Sequence, residues 1–223
     1  MYIYFFKRLF DVFIALLFLS LTSPIFIITI IILKFTGEGE VFYLQNRVGF
    51  NNKNFKIFKF ATMVKNSPNI GTGSLTLRND PRVLPFGKFL RKSKINEFPQ
   101  IFNVLLGNMS IVGPRPQMKV DFLVYPEDIR DLIYLTKPGI TGLGSVIFRD
   151  EEKLISNASN SRQFYSDKIA PYKGSLEVWY NKNVSFFNDA SIIFLTAWVI
   201  IFPNSNLTYK IFRNIPPKPP DLF

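Results

Sequence analysis

The chain has 223 residues, with 27 Lys+Arg against 16 Asp+Glu, a formal charge of +11, and a hydrophobic fraction of 48% that includes 25 Phe. That length holds one catalytic domain and a membrane element but not two large domains, and apolar-plus-basic character describes a protein that meets both a lipid interior and something anionic. Cys and His are absent, which excludes disulfides, Cys/His zinc sites, thiol nucleophiles and histidine triads and leaves carboxylates, Lys, Arg, hydroxyls, amides or an oxygen-ligated metal.

Lys7, Arg8 and Asp11 precede an uncharged run from Val12 to Leu33, which as a straight helix measures about 33 Å, enough to cross a hydrocarbon core. It is too long for a signal peptide, and Lys34-Phe35-Thr36 lacks the small residues of a cleavage site. Ser23-Pro24 interrupts it at the middle, where proline removes a backbone donor; the Ser23 or Thr22 hydroxyl is expected to satisfy the freed carbonyls. Lys7 and Arg8 before the run, and Lys34, Arg47, Lys53, Lys56, Lys59 and Lys65 after it, draw both ends to the cytoplasmic face. A re-entrant hairpin broken at Ser23-Pro24 satisfies both features. A kinked single-pass anchor also fits, since spanning helices tolerate proline.

The next segment reads as short strands and helices between turns. Val41–Leu44 and Phe55–Phe60 are predicted strands around the turn Gly49-Phe50-Asn51-Asn52, followed by a loop over Asn66–Gly73 and a turn at Asp80-Pro81. A helix is expected over Phe86–Lys92. Another runs over Glu97–Leu106, where Phe98, Ile101, Phe102, Leu105 and Leu106 fall at helical spacing and Gly107 stops it. Ser110–Val112 leads into Gly113-Pro114-Arg115-Pro116, and Tyr125–Leu135 is helical until Lys137-Pro138-Gly139. Ile192–Phe202 is too short to span; with Trp179, Tyr180, Phe186, Phe187 and Trp198 nearby it reads as a headgroup-region helix, or alternatively as a buried core helix. Ile215–Pro220 is Pro-rich and extended. The result is an α+β class: a small, mostly helical domain with short strands. It divides into a membrane helix over 1–36, a catalytic domain with interfacial helices over 37–205, and an extended tail over 206–223.

Three basic clusters stand out: Lys56/Lys59, Arg91/Lys92/Lys94 and Arg115. Taken alone, each reads first as a solvated or lipid-facing basic surface. Arg115 is the sharpest, because the flanking prolines fix where a bidentate, phosphate-matching guanidinium points. Asn96-Glu97 reads first as a helix N-cap followed by a first-turn acid, and second as a place where Glu97 holds a hard cation beside phosphates.

Taken in order, FKIFKFATM (55–63), NDPRVLPFGKFLRKSKINEFP (79–99), QIFNVLLGNMSIVGPRP (100–116) and KPGITGLG (137–144) resemble the bacterial sugar transferases, the monotopic phosphoglycosyl transferases. The resemblance reaches from the basic N-terminus to at least residue 150. It implies a re-entrant, non-spanning helix at the cytoplasmic face of the bacterial inner membrane. It implies transfer of a sugar-1-phosphate from a UDP-sugar to polyprenyl phosphate, usually undecaprenyl phosphate, with Mg²⁺ and release of UMP. The family reaction looks ping-pong, a carboxylate attacking phosphorus before the lipid phosphate displaces it. Glu97 matches the family's metal-binding Glu, Arg115 its phosphate-binding Arg, and Lys59 the basic residue of the second strand; Arg91 joins them as a phosphate ligand.

Two positions depart from the family pattern. The usual Asp-Glu pair is Asn96-Glu97, so the nucleophilic carboxylate is an amide, whose delocalised lone pair and uncharged oxygen make it a very poor nucleophile. An Arg frequent in the family is Ala61 here. Either Glu97 takes over, or the lipid phosphate attacks directly with Asn96 positioning the substrate, or the chain is a non-catalytic relative that binds sugar-lipid or recruits glycan-assembly partners. Expected partners are a UDP-sugar, polyprenyl phosphate and membrane lipids, with a homodimer left open. Nucleic acid is not expected, since the basic residues flank apolar segments and form no domain of their own.

Overall fold

The computed structural model describes residues 5–70, 80–156, 158–220 and 222. The outer part of the expected 66–73 loop and Asn79 of the second motif therefore lie outside the described residues.

Helix α1 (Lys7–Phe35) is continuous through Ser23-Pro24. Pro24 has no N–H for the Ser20 carbonyl, and the Ser23 hydroxyl donates to that oxygen at 2.9 Å, while Thr22 donates to the Phe18 carbonyl at 2.7 Å. The freed carbonyl is thus satisfied within the turn, and the helix has no break where the sequence suggests one. By length and composition α1 is long and apolar enough to cross a membrane. Its buried positions form two groups, Lys7, Asp11 and Ala15 near one end and Phe26, Thr29 and Leu33 near the other. Between them Leu16, Leu17, Leu21 and Ile25 are exposed.

The start of α1 is tied down by charge. Lys7 Nζ lies 2.6 Å from Asp189 Oδ2 and donates to the Val112 carbonyl at 3.0 Å. Tyr180 donates to the other Asp189 oxygen at 2.6 Å, and Asp11 accepts from the Ser110 hydroxyl and the Ile111 N–H. Arg8 donates to the Val104 and Leu105 carbonyls. Lys7 and Arg8, read from sequence as flanking charges that set topology, are also internal ligands of the domain: a buried ammonium is stable only when paired and hydrogen-bonded, as Lys7 is.

Strands β1 (Phe42–Val48) and β2 (Asn54–Phe60) form an antiparallel hairpin pairing Tyr43 with Lys59 and Arg47 with Phe55. Asn51 and Asn52 make its turn with φ of 52° and 58°, left-handed values that Asn tolerates. Helix α2 (Pro85–Lys92) is followed by a 3₁₀ turn over Ile95–Glu97 and α3 (Gln100–Leu106), which Gly107 stops at φ 85°. The helix expected from Glu97 therefore begins three residues later. Asn96 does not cap α3: its Oδ1 has no hydrogen bond among the described residues, and Pro99 stands at the α3 N-cap.

Strand β3 (Ser110–Val112) pairs parallel with β4 (Gly139–Thr141), flanking α4 (Lys119–Phe122) and α5 (Glu127–Ile133). Gly113 and Gly139 permit this approach, since a Cβ on Gly139 would sit 2.1 Å from the Gly113 nitrogen. Then come α6 (Leu143–Ile147), α7 (Glu151–Ser156), α8 (Ser161–Phe164), α9 (Ala170–Lys182), α10 (Phe186–Ile201) and α11 (Leu207–Ile211). One apolar core joins α1, β2, α3, β3, α6, α9 and α10. The second apolar run is longer than the sequence suggests and two-faced: Asp189, Ile192, Leu195 and Val199 of α10 are buried, while Phe186, Phe187, Phe194, Ile200 and Ile201 are exposed. The tail is not simply extended. It opens with α11, and Ile215 and Leu222 are buried because they return to the core.

Candidate active site

Lys59, Arg91, Asn96, Glu97 and Arg115 all line one cavity of about 640 Å³. They arrive on four different devices. The β1–β2 pairing puts Lys59 on the same face as Tyr43, and α2 delivers Arg91 from its last turn. The 3₁₀ turn, entered through a left-handed Lys94 at φ 61°, delivers Asn96 and Glu97. Arg115 comes from the turn after β3. Of the other clustered cations, Lys94 lines the cavity, whereas Lys56 and Lys92 are exposed outside it.

The Pro114-Arg115-Pro116 turn is gripped through its backbone. Gly113 N–H donates to Thr141 O and Gly139 N–H to Pro114 O, both at 2.9 Å. The Tyr134 hydroxyl donates to Arg115 O at 2.9 Å and accepts from Gln117 N–H at 2.8 Å. Arg47 reaches Pro116 O, and Val48 N–H donates to Gln117 O. The backbone from which the Arg115 guanidinium projects is thus fixed before an anion arrives.

Glu97 is the centre of charge. Its Oε1 lies 2.8 Å from Arg115 and 3.8 Å from Lys59. Burial opposes its ionisation, but Arg115 and then Lys59 outweigh that and hold the carboxyl well below the usual carboxylate range. Arg115 is raised in return, first by Glu97. Lys59 is pulled down to about 7 by burial, with Arg47, Arg115 and Arg91 adding and Glu97 opposing. Arg47 falls to about 10, first through burial and then through Arg115. So many crowded cations around one carboxylate describe a site short of negative charge, one that a polyanion completes. Ala61 is buried in the wall and adds no charge. Asn96 is 7% exposed, and among the described residues its Oδ1 is a buried acceptor without a donor.

Sequence reasoning counted Arg47 only as a flanking charge and passed over Gln45 and Met118, which also line the cavity. The alternation of Tyr43, Gln45 and Arg47 along β1, on the Lys59 face, was the available signal. Tyr134 had none, because its role depends on α5 folding back onto the turn.

An electropositive cavity of this kind suits phosphate groups, and the same chain carries a helix long and apolar enough to cross a membrane. The bacterial sugar transferase family model matches residues 2–203, and the chain belongs to that family. Over 199 residues it is 34% identical to the UDP-N-acetylgalactosamine-undecaprenyl-phosphate N-acetylgalactosaminephosphotransferase of Aeromonas hydrophila, covering 88% of this chain and 44% of that protein. It is 34% identical to the undecaprenyl-phosphate galactose phosphotransferase of Salmonella typhimurium, covering 88% and 40% respectively. The exopolysaccharide production protein ExoY of Rhizobium meliloti is 33% identical, with 85% of this chain and 83% of ExoY covered. The chain thus spans less than half the length of the first two relatives and most of the third.

Proposed function

We propose that the chain transfers a sugar-1-phosphate from a UDP-sugar to undecaprenyl phosphate at the cytoplasmic face of the bacterial inner membrane, releasing UMP and starting glycan assembly. The observation that carries this reading is the convergence of Lys59, Arg91 and Arg115 around Glu97 in one cavity. The relatives' names supply the substrate classes. In the reaction, an oxygen of the lipid phosphate attacks the sugar-bearing phosphorus. The bond to the UMP oxygen breaks, and UMP leaves with the electron pair. Lys59, Arg91 and Arg115 neutralise the diphosphate, and Asn96 donates a hydrogen bond to a phosphoryl oxygen.

Direct attack is favoured over a covalent enzyme intermediate. Asn96 is no nucleophile, and a Glu97 carboxylate shared by Arg115 and Lys59 is a weakened one. Mg²⁺ binds through one or two protein oxygens together with substrate phosphates, which suits Glu97 and the unpartnered Asn96 Oδ1; when bound it supplies further neutralisation of the phosphoryl oxygens.

A re-entrant α1 belongs to the same reading, the helix turning back by a bend at Pro24 rather than by a break in its hydrogen bonding. It is supported by the two separate buried groups at its ends and by the rings of Phe18 and Phe26, on either side of Pro24, which lie 5.0 and 6.2 Å from the single Phe98 ring. Both substrates then meet at one membrane face.

The test is UMP release from a panel of UDP-sugars with undecaprenyl phosphate and Mg²⁺. Acceptor-dependent UMP is expected with at least one sugar. Absence of UMP throughout favours the second reading, which Asn96 motivates: a non-catalytic relative that binds sugar-lipid or recruits partners.

A further inference from the structure

Glu177, on α9, is buried behind the Arg115 turn, and neither carboxyl oxygen has a hydrogen bond among the described residues. It is seated on the α6 backbone: a Cβ on Gly144 would lie 2.4 Å from Oε1, and one on Gly142 would lie 3.8 Å from Oε2. The Pro-Arg-Pro turn has only three backbone donors between Gly113 and Gln117, because the prolines have none. Gly113 N–H is taken by Thr141 and Gln117 N–H by Tyr134. The third, Arg115 N–H, faces Glu177 from beyond hydrogen-bond geometry and favours its charged form. A buried carboxyl with no formed hydrogen bond among the described residues thus faces the Arg115 N–H, at the residue that has to meet phosphate.

We propose that Glu177 is the positioning residue of Arg115: its carboxyl receives the Arg115 N–H when the donor binds and so fixes where the guanidinium meets the diphosphate. This rests on the reading of Arg115 as a donor-phosphate ligand. Burial pushes Glu177 up to about 8, against the opposing pull of Lys173 and the Arg115 N–H. The titratable groups facing it are Lys173 on its own helix, Glu151 paired to Lys173 at 2.8 Å, Tyr134 at the end of α5, and Arg115. Helix α6 brings none, and Glu127, Asp128 and Asp131 of α5 are exposed. At neutral pH the carboxyl is therefore protonated. Its carbonyl oxygen accepts the N–H without placing a negative charge behind a cation that has to hold an anion.

The test is UMP-release kinetics on the full chain between pH 6 and 9 for wild type, E177Q, E177A and R115A. Glutamine keeps the neutral acceptor, so at pH 7 E177Q is expected to hold its donor KM within about two-fold, while E177A raises it roughly ten-fold with the acceptor KM unchanged. Above pH 7 the ratio of wild-type to E177Q donor KM grows, because only wild type acquires the charge; Lys59 titrates in both and cancels. A flat ratio overturns the proposal, as does a donor KM in E177Q raised as far as in E177A, and the ratio decides alone if E177A does not fold. A raised KM in R115A with E177A unchanged overturns the Glu177 role only. An unchanged KM in R115A sinks the donor-phosphate reading beneath it.

Discussion

Arg115 Nη2 lies 2.8 Å from Glu97 Oε1, with the second nitrogen 3.5 Å from Oε2, so that one fork of donors spans both carboxylate oxygens. In the proposed reading each of these two residues stands in for the other's ligand: Glu97 for a phosphate, Arg115 for a cation. Arg115→Lys retains the charge and loses the fork. Transfer is expected to fall roughly ten- to a hundred-fold, the range of one lost charged hydrogen bond, with the protein still folded. Parental kcat/KM in R115K would mean that the residue serves packing or general electrostatics.

Lys59 gives a pH signature. Its ammonium is pulled down to about 7, first by burial, so above that pH the side chain is increasingly neutral. A diphosphate favours the charged form, and binding above about pH 7 should take up a proton; well below it Lys59 is already charged and uptake vanishes. Calorimetry of UDP-sugar binding in buffers of different ionisation enthalpy measures this. Lys59→Met should abolish the uptake, and an uptake that survives in K59M assigns it to another group.

The site was legible in sequence to the extent that it lies in contiguous motifs. Lys59, Asn96-Glu97 and Arg115 each sit in a short run whose residues announce a turn or a strand. The groups that support them were not legible, because their roles arise from distant chain contacts: Tyr134 is 19 residues from the carbonyl it holds, and Asp189 is 182 from Lys7. Local helix rules also misled at Asn96. A good N-cap residue next to an acid is a real signal, but the 3₁₀ turn and Pro99 use the position differently. At Pro24 the chain carried its own remedy in Ser23, which kept the helix going.

The Lys7–Asp189 pair, 2.6 Å apart with the side chains 6% and 0% exposed, anchors α1 to the domain. Lys7→Met leaves a buried carboxylate without its cation, though still bonded to Tyr180, and should cost about 3–5 kcal/mol of stability. Denaturant titration in detergent reads this directly. Adding Asp189→Leu should recover much of the loss, since removing both charges costs far less than stranding one. No recovery would show that the pair contributes through attraction alone.

Topology is open to labelling at two exposed residues, Phe5 and Glu38, which bracket α1. With a re-entrant α1, single Cys variants F5C and E38C in sealed cells react with an impermeant thiol reagent only after the cytoplasmic face is opened. Labelling of one of them from outside restores the single-pass anchor.

Asn96 decides the chemistry. Its Oδ1 is buried in the cavity wall without a hydrogen bond, next to a carboxylate engaged by two cations. With donor alone, wild type should show no sugar-phosphate mass on the chain and no UMP, because no protein group is free to attack and the lipid phosphate is missing. Asn96→Asp adds an oxygen nucleophile at a position already facing the donor. That variant should acquire an adduct at residue 96 and release UMP, up to one equivalent, before acceptor is added. Intact-mass analysis of both proteins after incubation with donor and Mg²⁺ separates the mechanisms. An adduct on the wild-type chain refutes direct attack and makes Glu97 the candidate for peptide mapping. UMP from Asn96→Asp but from no combination with wild type would mean that the amide itself silences an otherwise intact site.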